Sequence, residues 1–306
     1  MAAFEDLSRL RAFVCIVESG SISAGARRLK LPQPTLSRYL QQLEQKAGAA
    51  LLRRDTHRMS LTETGHRLLS DARAMLALAE DAEQRLHEDQ AALRGHLRLF
   101  ATIDFGQSVV TRLIANFLQA NPGVTAELGY TNRPVHVIQE GYDAGVVAGD
   151  IVDDTVVARP SGKIVRCLVA SPAFLKSRPA PKKPSDLESW PWISLSATRF
   201  GGGNNVMLYS AKTGEQTFQI SPVLISEGST SVREAVCAGL GIGLLPEWLI
   251  REDLLSGRLM RALPQWNAKE FSAHVVYPGH RVLPARVRAF IDFAAKYMIT
   301  ELRPRV

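Results

Sequence analysis

Apolar positions near the start of the chain recur at helical steps. Leu7, Leu10, Phe13, Val14 and Val17 follow Asp6 at spacings of three and four, which predicts a helix with one buried face, stopped by Gly20. Ser21-Ile22-Ser23 restarts the chain, with Ser23 as the expected N-cap of a short helix from Ala24 to Leu29. Leu31-Pro32-Gln33 reads as a turn. Pro34 suits the first turn of the next helix, where its missing N–H has no intrahelical partner. That helix runs to about Ala47 with Leu36, Leu40 and Leu43 inward, and Gly48 ends it. Leu51 to Leu61 reads as a hairpin with a polar tip, Asp55-Thr56-His57. Thr62, with Glu63 and Gly65, opens a long helix. Leu68, Leu69, Ala72, Met75, Leu76, Ala79, Ala82 and Leu86 keep the same spacing along it, a coiled-coil-like stripe that Gly95 terminates.

Beyond His96 the pattern becomes strands alternating with helices. Strands are expected at 97–101, Val124–Gly129, Asp143–Val147 and 163–170. The helices between them are Gln107 to Ala120 and Arg133–Glu140. Arg178 to Pro184 is a surface loop and Gly201-Gly202-Gly203 a flexible turn. Ser229 is expected to cap a helix ending near Gly239. Ile242–Leu245 is a buried strand, Phe271–Tyr277 a late strand, and Ala285–Met298 a closing helix. The alternation implies a parallel sheet.

Charge sharpens this division. The 306-residue chain carries a net charge of +7, which suits a polyanionic partner. Residues 1–60 hold ten Lys/Arg against five acids, a net +5, whereas residues 61–94 hold four against seven, a net −3. The basic excess therefore belongs to the first block. Hydrophobic residues make up 46%, enough for proper cores without staples. Cys15, Cys167 and Cys237 lie far apart in apolar stretches and read as small buried residues in a reducing compartment. No signal peptide or membrane-length apolar run is visible, so the expected location is cytoplasmic and no membrane partner is expected.

Residues 23–47 form the strongest constellation: a short helix, a turn, and a helix whose start carries Gln33, Thr35, Ser37, Arg38 and Gln41. In a helix-turn-helix the second helix enters the major groove and its N-terminal residues reach the bases. Glutamine pairs with adenine edges, arginine prefers guanine, and serine and threonine contact phosphates or bases. The helix N-terminus itself favours phosphate. Arg53, Arg54 and Arg58 in the hairpin suit a wing lying along the backbone.

These residues carry a family resemblance. Phe13, Ser21 and Ser23, Ala24, Ala26-Arg27-Arg28-Leu29, Gln33-Pro34, Ser37-Arg38, Leu43-Glu44, Gly48, Leu51-Leu52-Arg53-Arg54 and Leu61-Thr62-Glu63-Thr64-Gly65 together resemble the N-terminal domain of LysR-type transcriptional regulators. The resemblance implies an α+β multi-domain protein. Its parts are a winged helix-turn-helix (1–61), a long linker and dimerisation helix (62–94), and a two-lobed α/β regulatory domain similar to periplasmic binding proteins (95–306). Lobe one is expected at 97–162 and 270–300, and lobe two at 163–269. The implied DNA contacts are Ser23, Gln33, Pro34, Thr35, Ser37, Arg38, Gln41, Arg53, Arg54 and Arg58. The implied partners are double-stranded DNA with an interrupted palindrome, a second copy paired antiparallel through the long helix, a tetramer built from such dimers, and RNA polymerase.

Pro134 with Val137, Gly141-Tyr142-Asp143, Val169-Ala170-Ser171-Pro172 and Ala238 to Pro246 extend the resemblance through the regulatory domain. No cofactor is implied, but a small-molecule effector is, in the crevice between the lobes. Thr102, Thr131, Ser194, Ser196 and Thr230 match that crevice as hydroxyl donors. Asp104 stands where the related subgroup is Pro-rich. It is expected to disfavour a simple carboxylate effector unless Arg133 or Arg199 offsets it.

Two rival readings of the sequence are an enzyme and a DNA-binding protein that needs no effector. An enzyme would need a catalytic constellation, yet Gly239-Leu240-Gly241-Ile242-Gly243-Leu244 misses the last glycine of a dinucleotide fingerprint, no serine sits in a nucleophile elbow, and the seven histidines lack metal-ligand spacing. The other rival is an effector-independent repressor or architectural DNA-binding protein.

Overall fold

The computed structural model describes residues 7–54, 59–86, 93–133, 137, 140–149, 151, 153, 155–196, 204–210, 212, 214–279 and 283–303. Helices α1 (Leu7–Ser19), α2 (Ile22–Leu29) and α3 (Gln33–Ala47) pack around Leu10, Phe13, Ile16, Leu36, Leu40 and Leu43, all buried. The cap of α2 is Ser21, not Ser23. Ser21 has the extended backbone a cap requires, and its hydroxyl accepts from the Ala24 N–H at 3.1 Å. Ser23 lies exposed inside the first turn. The turn into α3 is closed by Lys30 at φ 54°, with the Leu31 N–H bonded back to the Ala26 carbonyl at 3.0 Å.

Strands β1 (Leu52–Arg54) and β2 (Met59–Leu61) form the antiparallel ribbon, Arg53 opposite Ser60. Its polar tip and Arg58 lie outside the described residues. Glu44 on α3 accepts from the N–H groups of Leu51 (2.9 Å) and Leu52 (3.3 Å), so ribbon and helix keep one orientation. Helix α4 (Glu63–Leu86) starts at a Thr62 cap, whose hydroxyl accepts from Gly65 N–H at 3.0 Å. The early part of its apolar stripe, Leu68, Leu69, Ala72 and Leu76, packs into the same core as α1–α3.

The remainder builds two five-stranded sheets. The first has the order β4-β3-β5-β15-β6, from β3 (Gly95–Ala101), β4 (Val124–Tyr130), β5 (Ala144–Ala148), β6 (Val156–Ile164) and β15 (Phe271–Pro278). The second has the order β11-β8-β12-β7-β13, from β7 (Arg166–Ala170), β8 (Trp192–Leu195), β11 (Pro222–Ser226), β12 (Ile242–Pro246) and β13 (Met260–Arg261). A three-stranded antiparallel sheet of β9 (Asn205–Ser210), β10 (Gly214–Gln219) and β14 (Asn267–Ala268) completes the second lobe. Both large sheets are mixed rather than parallel: β15 runs antiparallel to β5 and β6, and β7 antiparallel to β12. The single strand expected at 163–170 is two. β6 ends at Ile164 and β7 starts at Arg166, because the chain changes sheets between them. Both flanks are buried, so the apolar run looked continuous.

Helices cover these sheets. The helix expected from Gln107 opens earlier, as α5 (Ile103–Phe105), a π-helical turn at Gly106–Val110 and α6 (Thr111–Ala120). The helix expected at Arg133–Glu140 and the turn at 201–203 fall largely or wholly outside the described residues. Then follow α7 (Pro172–Lys176), α8 (Ser229–Cys237), α9 (Glu247–Leu255) and α10 (Ala285–Glu301). Phe290 of α10 and Phe117 of α6 meet edge to face at 5.4 Å at the centre of the first lobe's core. Among the described residues no helix is long and apolar enough to cross a membrane.

Candidate DNA-reading surface and inter-lobe crevice

The amphipathic pattern of α3 turns three leucines inward and leaves Gln33, Pro34, Arg38 and Gln41 exposed, with Thr35 and Ser37 half-buried. Pro34, Arg38 and Gln41 follow the three-and-four spacing of one helix face. Among the described residues no side chain caps the N-terminus of α3 and no acid lies in its first turn, so its dipole end is open to an outside anion. Arg53 is exposed on the adjacent ribbon. The backbone of Arg54 belongs to β1, and its side chain, like Arg58, lies outside the described residues. The arrangement is a basic, amide-bearing ridge beside a basic ribbon, which fits a groove and its flanking phosphates.

The second site lies where the chain passes between the sheets. Ile164 and Arg166 on the outward crossing and Phe271 on the return line a cavity of about 760 Å³, measured to its open mouth. Its wall is largely apolar and aromatic, with Phe105, Trp192, Ile193, Leu244 and Trp248. Thr102 and Ser194 are among its lining residues. Thr131, Ser196 and Thr230 are not among its lining residues. The Thr131 hydroxyl accepts from Arg133 N–H at 3.0 Å, and Ser196 is exposed with its N–H on the Ser226 carbonyl at 2.7 Å. The Thr102 hydroxyl accepts from Ala148 N–H at 3.1 Å, which ties β5 to the start of α5.

Asp104 makes the most informative contact. Its carboxylate reaches across the crevice to the N-terminus of α8. There it accepts from Ser229 N–H (2.6 Å), Thr230 N–H (3.2 Å) and the Thr230 hydroxyl (2.8 Å). The expected cap, Ser229, is therefore the first helical residue, and the capping oxygens come from the other lobe. A carboxylate is well matched to a helix N-terminus. Asn132 bridges beside it, accepting from Ile103 N–H at 3.2 Å and donating to the Glu227 carbonyl at 3.2 Å. Phe105 meets Trp248 edge to face at 5.4 Å across the same gap.

Sequence reasoning passed over Asn132, Arg166 and the aromatic wall. Arg166 had a signal: it is the lone charge in the apolar run from Ile164 to Ala170. Burial pushes its guanidinium down to about 10, leaving it cationic at neutral pH. The group lies over the Phe271 ring at 5.2 Å and donates to the Lys269 carbonyl at 3.1 Å. Burial also raises the thiols of Cys167 and Cys237, in keeping with packing residues rather than nucleophiles.

Comparison with known proteins gives two family matches. Residues 7–66 match the bacterial regulatory helix-turn-helix protein, lysR family, and residues 90–298 match the LysR substrate binding domain. The chain is similar to the helix-turn-helix-type transcriptional regulator YhjC of Escherichia coli (strain K12), 30% identical over 294 residues, with 96% of this chain and 98% of that protein covered. It is likewise similar to the regulator PtxR of Pseudomonas aeruginosa, 30% identical, covering 96% and 93%. Among solved structures it resembles full-length AphB, the virulence activator of Vibrio cholerae, with a TM-score of 0.61, 25% identity and coverage of 96% and 100%. It also resembles CrgA of Neisseria meningitidis, with a TM-score of 0.60, 26% identity and coverage of 95% and 98%.

Proposed function

This chain belongs to the LysR family of DNA-binding transcription regulators, and from that premise we propose that it is a self-associating, effector-gated switch. The domains divide at 1–61, 62–94 and 95–306, with lobes at 97–162 plus 270–300 and at 163–269. The recognition helix reads bases with Gln33, Pro34, Thr35, Ser37, Arg38 and Gln41. Ser23, Arg53, Arg54 and Arg58 hold the backbone. Antiparallel pairing of α4 sets two reading heads about a two-fold axis, so the operator is an interrupted palindrome, and dimers assemble into tetramers. Met75 and Ala82, exposed on α4, support that pairing. RNA polymerase is the further partner and the cytoplasm the compartment in this reading.

The observation that carries the gating is the set of contacts across the cavity: Asp104 to α8, Asn132 to Glu227, and Phe105 to Trp248. A ligand there shifts the balance between lobe arrangements by its differential affinity for them. The Asp104 clamp also favours a second reading, a regulator whose lobes stay closed without an effector.

Genome-wide mapping of bound sites, then titration of the mapped operator by fluorescence anisotropy, tests the first reading. Arg38→Ala is expected to cost about 1–3 kcal/mol on the operator and to relax one base preference. Arg53→Ala is expected to weaken all sequences alike and reduce the salt slope by about one. Equal loss of discrimination in both variants contradicts these roles. An isotherm unmoved by a broad panel of cellular metabolites favours the effector-independent reading.

A further inference from the structure

We propose that the crevice takes a compact apolar or aromatic molecule bearing a single carboxylate, its body among Phe105, Trp192, Trp248 and Phe271 and its charge at Arg166. The inference rests on the reading of this crevice as the effector site and specifies the ligand's chemistry.

Three independent features converge on that class. First, the wall is built of aromatic and aliphatic side chains, which reward the transfer of an apolar body from water and offer a sugar or polyol few polar contacts. Second, the N-terminus of α8 would attract a ligand anion, but the carboxylate of Asp104 already fills it with three hydrogen bonds. The sequence leads one to expect Asp104 to disfavour a carboxylate unless Arg133 or Arg199 offsets it. The α8 N-terminus holds the Asp104 charge instead, so one ligand carboxylate is directed to Arg166, and a second carboxylate, or a phosphate directed at that helix, meets a fixed like charge. Third, Arg166 is the one cation among the described lining residues, and it is largely withdrawn from water. A guanidinium fork matches a carboxylate bidentately, and an anion placed there offsets the cost of burying the charge.

Trp248 adds a fourth indication. Among the described residues its indole N–H is buried with no hydrogen-bond partner, although the ring lines the cavity. Buried donors are nearly always satisfied, so an acceptor oxygen on the ligand is the expected complement. An acid supplies acceptor oxygens, whereas a neutral hydrocarbon supplies none.

The test uses the full-length protein with four probes: benzoate, hexanoate, benzamide and succinate. Binding is read by calorimetry and by the fluorescence of the tryptophans that line the cavity. Benzoate or hexanoate is expected to bind and to change that fluorescence, with benzamide weaker and succinate weakest. Arg166→Gln is expected to lose at least tenfold in affinity for the acids while leaving benzamide unchanged. Trp248→Phe, which keeps the ring stack and removes the donor, is expected to lose severalfold for the acids. Asp104→Asn is expected to improve succinate binding at least tenfold, since the cap survives without its charge.

Circular dichroism and a cooperative thermal transition of the ligand-free variants establish that each is folded. Succinate bound in preference to the monoacids, or monoacid binding indifferent to both Arg166→Gln and Trp248→Phe, overturns the ligand class and leaves the effector reading intact. Silence of all four probes also overturns the class. The effector reading itself falls only when the operator isotherm is unmoved by the wider metabolite panel.

Discussion

At the scale of single residues, Asp104 does work that no local pattern assigns to it. It caps a helix 125 residues away in sequence, so its contribution belongs to the contact between lobes rather than to α5. Asp104→Ala is expected to cost about 0.5–2 kcal/mol, as loss of a helix cap does, and to speed hydrogen exchange at Ser229 and Thr230. Asp104→Asn is expected to restore most of the protection. Asp143 poses the opposite electrostatic problem. Burial raises its carboxyl above the ordinary range, although it accepts from Arg98 N–H at 2.8 Å. The folded chain thus holds this proton more tightly than the unfolded chain. Its stabilising effect is full below the unfolded pKa of about 3.9 and is lost as pH rises through the higher folded value. Asp143→Asn is therefore expected to raise the thermal midpoint at neutral pH, a gain that shrinks to nothing in acid. A midpoint difference independent of pH contradicts the assignment.

At the scale of elements, α8 is anchored at its start and at its middle. Asp104 holds its start, and Arg233 grips the fully buried Asp253 of α9 through two bonds, at 2.5 and 2.9 Å, with Arg258 completing the cluster. Removing one partner strands buried charge, so Asp253→Asn is expected to cost about 3–5 kcal/mol in urea denaturation. The reading helices and α4 were legible in the sequence, because each is amphipathic and punctuated by Gly, Pro or a hydroxyl residue. β6 was hidden by Pro160 and Gly162, which read as breakers; the strand tolerates them because it is the sheet's edge. β9 was hidden for another reason: its outward residues Met207 and Tyr209 are as apolar as inward Val206 and Leu208, so no alternation shows. In the crevice, hydroxyl residues were the visible candidates. The aromatic wall was illegible because Phe105, Trp192, Trp248 and Phe271 come from four separate segments and resemble ordinary core.

At the scale of the molecule, α4 carries one packed face and, in the proposed assembly, a second face for a partner. Its inward stripe completes the core of the reading domain, while Met75 and Ala82 stay exposed, the positions that the proposed pairing would cover. Met75→Glu, at a position 38% exposed, is expected to weaken self-association at least tenfold in sedimentation equilibrium while the reading domain stays folded. The sheet order carries a further consequence. Every strand of the second lobe lies in one stretch of chain, from β7 to β14, whereas β15, which sits between β5 and β6, is made after all of them. On the ribosome the inner lobe has all its strands while the outer one still waits for its middle. The nascent chain must therefore carry β5 and β6 without their shared neighbour until Pro278 has been added, the interval in which a chaperone has most to shield.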